Sequence, residues 1–200
     1  MRVARLSVLA GVAAVALGAA ALGADVRISS INGKTLTPFA PAGAAGVIFF
    51  VATDCPISNS YAPEIQRLCR DYASRGVACS LMYEDVDTDA TPELLDDAVR
   101  KHLVEFRYRD IDAAVDRSRL VATAAQATVT PQAVIVDRSG AIRYRGRIDN
   151  FYAALGKPRQ QVTARDLRDA LDAILAGRSV ARRETEALGC FIVDPAHVRK

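Results

Sequence analysis

The sequence has no tryptophan, only two methionines and two histidines, and little excess of charge of either sign. Its formal net charge of +3 excludes the strongly basic surface that is typical of nucleic-acid-binding proteins. The two histidines, His102 and His197, leave few nitrogen ligands for a metal site. What is present, 50% hydrophobic and 24% charged residues over 200 positions, is the composition of an ordinary globular domain.

The first 24 residues have no acidic side chain. Arg2 and Arg5 precede an alanine-rich uncharged run that extends to Ala24. This pattern predicts a secretory signal peptide over residues 1–24. An uncleaved run of about 20 apolar residues can also span a bilayer, so a membrane anchor is the alternative. In either case we expect the remaining chain to lie outside the cytoplasm, in the periplasm or the extracellular space.

The rest of the sequence alternates between strand-like and helix-like patterns. The apolar stretch 47–51 predicts a buried central strand, and apolar residues at helical spacing predict a helix over 60–74, followed by a strand over 77–83. Further helices are predicted from Thr91-Pro92 to about 106, over 118–126, and from a capping box at 163–166 to about 176; a hairpin is predicted over 133–147. These elements predict an α/β domain over residues 25–176 and a tail over residues 177–200.

One cysteine stands where the buried strand gives way to a helix. Cys55 follows Asp54 and precedes Pro56 and Ser58, residue types that favour loops and helix starts. Backbone N–H groups at a helix start stabilise a thiolate, whereas the negative charge of Asp54 opposes its formation. Cys55 is therefore a candidate nucleophile; the alternative is a small apolar residue that closes the strand.

The stretch ATDCPIS resembles the active-site turn of thioredoxin-like redoxins, in which a tryptophan-cysteine-x-x-cysteine motif follows a central strand and opens a helix. Thr130-Pro131, directly before the predicted strand AVIV, resembles the cis-proline that faces the active cysteine in that family. The resemblance covers roughly residues 25–176. It implies a thioredoxin-like fold with a central mixed sheet, thiol–disulfide exchange with a dithiol or disulfide of a partner protein, a site shaped by Pro131, and no organic cofactor.

The sequence departs from this family at two positions. Asp54 replaces the tryptophan and Ser58 replaces the second cysteine, so a CxxC disulfide cannot form. A single thiol can attack a disulfide, but it needs a second sulfur to resolve the mixed disulfide. Cys190 in the tail is the candidate resolving thiol; the alternatives are a static disulfide to Cys55 and a free thiol.

The remaining two cysteines have a simpler interpretation. Cys69 lies on the apolar stripe of a predicted helix and Cys79 on the strand that follows, so both are core residues or form a structural disulfide. Four cysteines allow three complete pairings. We favour Cys69–Cys79 together with Cys55–Cys190.

Three other functions remain open on this fold. A peroxiredoxin-like thiol peroxidase would need a threonine three positions before the cysteine, but Thr53 is two positions before it; Arg145 and Arg147 could supply positive charge or simply face solvent. A non-catalytic module would bind peptide segments beside Pro131. A copper-binding module would need a second cysteine in the loop and a histidine ligand, and His102 is expected to be a surface residue.

Overall fold

The computed structural model of the chain describes residues 25–85 and 90–193. The predicted signal peptide or anchor lies outside the described residues, as does His197. None of the helices within the described ranges is both long and apolar enough to cross a membrane.

The centre of the molecule is a five-stranded mixed sheet. Its strands, in spatial order, are β5 (Asp112–Val115), β4 (Val77–Tyr83), β3 (Ala45–Val51), β7 (Gln132–Asp137) and β8 (Ile142–Gly146). The three strands β3, β4 and β5 are parallel, β7 runs antiparallel to β3, and β8 runs antiparallel to β7. Every residue of β3 is buried, because this strand is central and both faces of the sheet are covered.

Helices cover both faces of the sheet. The helices are α1 (Pro56–Ser60), α2 (Ala62–Ala73), α3 (Pro92–Glu105), α4 (Leu120–Ala125) and α5 (Asp166–Leu175). Successive residues of β3 point to opposite faces: Val47 and Phe49 pack in the core that includes α2, α3 and α5, and Ile48 packs in the core that includes α4. The hairpin of β1 (Ile28–Ser29) and β2 (Thr35–Leu36) covers the second face beside α4.

The expected α/β architecture is confirmed, but several local elements differ. The single helix predicted over 60–74 is two helices, α1 and α2. The edge strand β5 was not predicted. The capping box at 163–166 is wrong: α5 begins at Asp166 without a side-chain cap, and the hydroxyl of Thr163 accepts a hydrogen bond from Asn150 instead. The start of α3 agrees with the prediction, since Thr91 Oγ1 accepts a hydrogen bond from Leu94 N.

The segment after α5 returns to the sheet. Arg145 N in β8 donates to Arg183 O at 2.9 Å, and Thr185 N donates back to Arg145 O at 3.1 Å. Beyond this contact, β11 (Cys190–Phe191) pairs antiparallel with β6 (Val129–Thr130). Two short strands, β9 (Tyr152–Ala154) and β10 (Lys157–Pro158), form a separate hairpin. Residues 177–193 therefore follow the outer edge of the sheet and end beside β6.

Candidate active site

Cys55 lies at the junction between β3 and α1. It is the N-cap residue of α1, with an extended backbone (φ −87°, ψ 107°), and Pro56 occupies the first helical position. Its Sγ accepts the Ser58 N–H at an N···S distance of 3.5 Å. Cys55 has no exposed surface. The sulfur therefore sits against a helix start, but it is closed off from solvent.

The four cysteines form two disulfides, and no cysteine is free. Cys55 is bonded to Cys190 with a Cα–Cα distance of 6.1 Å, and Cys69 is bonded to Cys79 with a Cα–Cα distance of 5.8 Å. This is the pairing that we favoured among the three. The first bond joins the end of β3 to the tail, and the second joins α2 to β4.

The Thr130–Pro131 peptide bond is cis, as the resemblance implies. Thr130 lies in β6 beside the disulfide, and its carbonyl oxygen is 3.1 Å from Cys55 Sγ. Cys190 is the register partner of Thr130 in the β6–β11 pair. Cys55, Cys190, Thr130 and Pro131 are therefore brought together.

The other residues predicted to shape the site flank the turn. Asp54 is exposed, whereas Ser58 is buried and its Oγ accepts the Ala52 N–H at 3.4 Å. Ser58, which stands where redoxins have their second cysteine, thus helps to hold the end of β3. Thr53 donates its N–H, at 2.8 Å, and its hydroxyl to the carboxylate of Asp85, whose pKa is raised by burial.

No protein-family model and no curated protein matches the chain. Among solved structures, a hypothetical protein from Sinorhizobium meliloti 1021 aligns with a TM-score of 0.71 and 28% identity over 85% of this chain and 91% of its own. A thioredoxin-like protein from Aeropyrum pernix aligns at 0.53 and 15% identity, over 77% and 89% of the two chains. A secreted Mycobacterium tuberculosis disulfide oxidoreductase homologous to E. coli DsbE aligns at 0.51 and 14% identity, over 76% and 95%.

The chain has a thioredoxin-like fold. With this fold, the strand–turn–helix at Cys55 and the cis bond before Pro131 occupy the positions that the resemblance implies for the redoxin active site. A disulfide connects Cys55 to the tail at that position. A disulfide at this place fits a thiol–disulfide oxidoreductase.

A chain of hydrogen bonds holds the turn at Cys55 to α3, and the sequence did not predict it. Asn59 Nδ2 donates to Thr53 O at 2.9 Å, His102 Nε2 lies 2.8 Å from Asn59 Oδ1, and Tyr83 Oη lies 2.9 Å from His102 Nδ1. The expectation of a surface histidine is wrong: His102 is only 5% exposed, and burial lowers its pKa to about 4. The available signal was its position three residues after Val99, on the apolar face of α3.

A second buried polar cluster lies where β4 and β5 end. Arg119 Nη1 donates to Glu84 Oε2 at 2.6 Å and to Asp116 O at 3.3 Å, and Arg119 Nε donates to Val193 O in the tail at 3.1 Å. Burial and then the nearby Asp116 carboxylate raise the pKa of Glu84 to about 8, although Arg119 opposes the shift. Within the described part of the chain, no group of His, Cys, Asp and Glu side chains is arranged to hold a metal ion.

A groove of about 520 Å³ opens beside Pro131. Tyr61 and Asp149 line it and share a hydrogen bond of 2.8 Å, and the tail contributes Glu186 and Leu188.

The two arginines considered for a peroxidase site are both engaged in ion pairs. Arg147 Nε lies 2.7 Å from Asp166 Oδ2, and Arg145 pairs with Glu184.

Proposed function

We propose that this chain is an exported thiol–disulfide oxidoreductase whose Cys55 and Cys190 cycle between a dithiol and a disulfide. The observation that carries the proposal is the Cys55–Cys190 bond, which places a second sulfur beside the nucleophile position although the CxxC motif is absent. Two intramolecular disulfides and the leader-like residues 1–24 support export, because disulfides persist outside the reducing cytoplasm. The secreted M. tuberculosis oxidoreductase of similar fold supports the same assignment.

The chemistry is a pair of thiolate displacements. In the direction that reduces a partner, the Cys55 thiolate attacks the partner disulfide, forms a mixed disulfide and releases one partner thiolate. The Cys190 thiolate then attacks Cys55 Sγ, forms the Cys55–Cys190 bond and releases the second partner thiolate. Two electrons have passed to the partner, and the reverse sequence oxidises a partner dithiol. The direction in the cell depends on the relative reduction potentials of the two proteins.

The residues around Cys55 suit the role of attacking or leaving thiolate. The Ser58 N–H directed at Sγ favours the ionised sulfur, and ionisation is what makes a cysteine nucleophilic. The hydrogen bonds from Asn59 to Thr53 and from Thr53 to Asp85 fix the turn on both sides of the cysteine. The turn is thus positioned by partly buried hydrogen bonds before any partner binds.

The proposal is tested by a redox titration of the purified chain in glutathione buffers of stepped potential. Samples are quenched with acid and alkylated, and mass spectrometry counts the open fraction of each disulfide separately. We expect Cys55–Cys190 to open and re-form under conditions that leave Cys69–Cys79 closed. The reason is that Cys190 is exposed, whereas Cys79 is only partly exposed.

Matched variants separate the two pairs. Cys55→Ser is expected to abolish turnover with a disulfide substrate, whereas Cys69→Ser/Cys79→Ser is expected to retain it. Turnover that survives Cys55→Ser would show that Cys55 is not the nucleophile and overturn the proposed cycle, whereas a wild-type chain without any turnover would favour a non-catalytic peptide-binding module.

A further inference from the structure

The tail occupies the edge of β6 as an added strand. Cys190 is opposite Thr130 and Phe191 is opposite Val129 in antiparallel register, and Ile192 N donates to Thr128 O at 2.9 Å. The edge of a strand offers backbone N–H and C=O groups to any extended segment that can approach it. In the oxidised protein this segment is the chain's own residues 189–192.

Gly189 is the residue that permits this approach. A Cβ atom at position 189 would lie 2.0 Å from Thr130 O, 2.6 Å from Thr130 C and 3.1 Å from Pro131 N. These are backbone atoms of a buried segment, since Thr130 is 2% exposed, so they cannot rotate away as a flexible side chain can. The backbone of Gly189 lies outside the left-handed region, and close contact alone is what selects glycine here.

The two sides of the cysteine differ in how closely they are held. The Phe191 side chain, directly after Cys190, is 80% exposed. Before the glycine, Leu188 and Glu186 line the groove beside Pro131. The position directly after the cysteine therefore faces solvent, whereas the position immediately before it is enclosed by backbone.

We infer that the β6 edge accepts a partner segment only when glycine immediately precedes the reactive cysteine, so that a partner's glycine-cysteine strand and the tail compete for one site. The inference rests on the proposed function and adds the substrate class to it. A partner cysteine that is bonded to Cys55 must place its sulfur where Cys190 Sγ now lies. If the partner's strand pairs with β6 in the register of the tail, the residue before the partner's cysteine lies against Thr130 O, as Gly189 does.

The exchange then proceeds by strand replacement. The Cys55 thiolate attacks the partner's cysteine sulfur, the partner's S–S bond breaks, and its other cysteine leaves as a thiolate while the partner strand lies on β6. For the second step the tail returns to β6, Cys190 attacks Cys55 Sγ, and the partner's first cysteine leaves as a thiolate. Gly189 thus acts in the second step by positioning Cys190.

The test uses the full chain with Cys190→Ala, which leaves Cys55 available. The variant is equilibrated in a glutathione redox buffer with equal amounts of three peptides: AEALGCFIV, its glycine-to-alanine form AEALACFIV, and a control, AEALGCAIV, in which the exposed phenylalanine is replaced. Mass spectrometry measures the Cys55 adduct of each peptide and of glutathione. We expect the two glycine peptides to form equal amounts of adduct and the alanine peptide at least about tenfold less, the scale of an overpacked contact.

The outcomes separate this inference from the proposed function. Equal adducts with glycine and alanine peptides, together with normal turnover of a small disulfide such as glutathione disulfide, would overturn the glycine requirement and leave the oxidoreductase standing. Failure of Cys55 to form an adduct even with glutathione would remove the proposed function itself.

In the otherwise unchanged chain, Gly189→Ala should slow closure of Cys55–Cys190 and let the glutathione adduct of Cys55 accumulate, whereas Phe191→Ala should do neither. Closure of Gly189→Ala at the wild-type rate would contradict the inference.

Discussion

Replacing Cys190 by alanine should remove most of the stability that the tail gives to the folded chain. The Cys55–Cys190 bond closes a loop with a sequence separation of 135. In the chain-entropy model, a cross-link of that length restricts the unfolded chain by about 5 kcal/mol at 25 °C. The separation of 10 between Cys69 and Cys79 gives about 3 kcal/mol by the same relation. Because Cys190 is exposed, its truncation loses little packing and reports mainly the cross-link.

The measurement is urea unfolding of the oxidised chain and of Cys190→Ala without reductant. Both are studied at about pH 5, where the thiols of an unfolded chain are almost entirely protonated and exchange with Cys69–Cys79 is slow. We expect the free energy of unfolding to fall by about 5 kcal/mol. Phe191→Ala, in the same strand and also exposed, is the control and should stay within about 0.5 kcal/mol of wild type. A loss below about 1 kcal/mol for Cys190→Ala would refute the reasoning.

A large stabilisation does not make this bond difficult to reduce. The difference in unfolding free energy between the closed and open chain equals the difference in closure free energy between the folded and unfolded states. The loss of chain entropy makes formation of the disulfide less favourable in the unfolded state. The same free-energy cost appears as stabilisation of the folded chain. Closure in the folded state depends instead on how well the fold holds the two sulfurs together. A bond across 135 residues can therefore stabilise the chain strongly and still take part in exchange.

Two further predictions concern the buried polar clusters. Because the pKa of His102 is lowered from 6.5 to about 4 when the chain folds, the unfolded chain binds the proton first, and stability should fall as pH decreases from about 6.5 to 4. His102→Gln should flatten this part of the curve in unfolding measured at several pH values; an unchanged slope would contradict the assignment. Arg119→Met should lower the free energy of unfolding by about 3 kcal/mol at pH 9 and by less at pH 6. At pH 6 Glu84 is more protonated, so its burial without Arg119 is less unfavourable. A loss that does not vary with pH would show that Glu84 does not titrate in this range.

The sequence predicted the parts of the molecule that have a local pattern. The wholly apolar β3, the caps of α3 and the turn at Cys55 are each specified by neighbouring residues, so periodicity and residue type are sufficient. The edge strand β5, Asp112–Val115, lacks the β-branched alternation of an ordinary strand and was missed. It is a strand because parallel pairing with β4 satisfies its backbone, and that pairing has no signature in its side chains.

Contacts between distant residues account for the rest. The Glu84–Arg119 pair joins residues 35 positions apart, and charged residues in a sequence are ordinarily assigned to the solvated surface. His102 was misplaced for a related reason, since its partners Asn59 and Tyr83 belong to other elements. At the candidate site, the sequence could name the cysteines and Pro131. It could not show that the tail pairs with β6, because the β11 strand is only two residues long.

The two attachments of the tail suggest how a buried cysteine can meet a partner. Residues 183–185 are held on β8 by backbone bonds at Arg145, whereas residues 189–192 are held on β6 by a short strand and the disulfide. Once the covalent bond opens, this second attachment keeps only a few hydrogen bonds of about 1 kcal/mol net each, including the one from Arg119 Nε to Val193 O, and is much weaker than before. The five peptide units between Thr185 and Cys190 span at most about 18 Å when extended. The first attachment therefore keeps the Cα atom of Cys190 within that distance of Thr185 while the β6 edge is open, and the resolving step stays intramolecular.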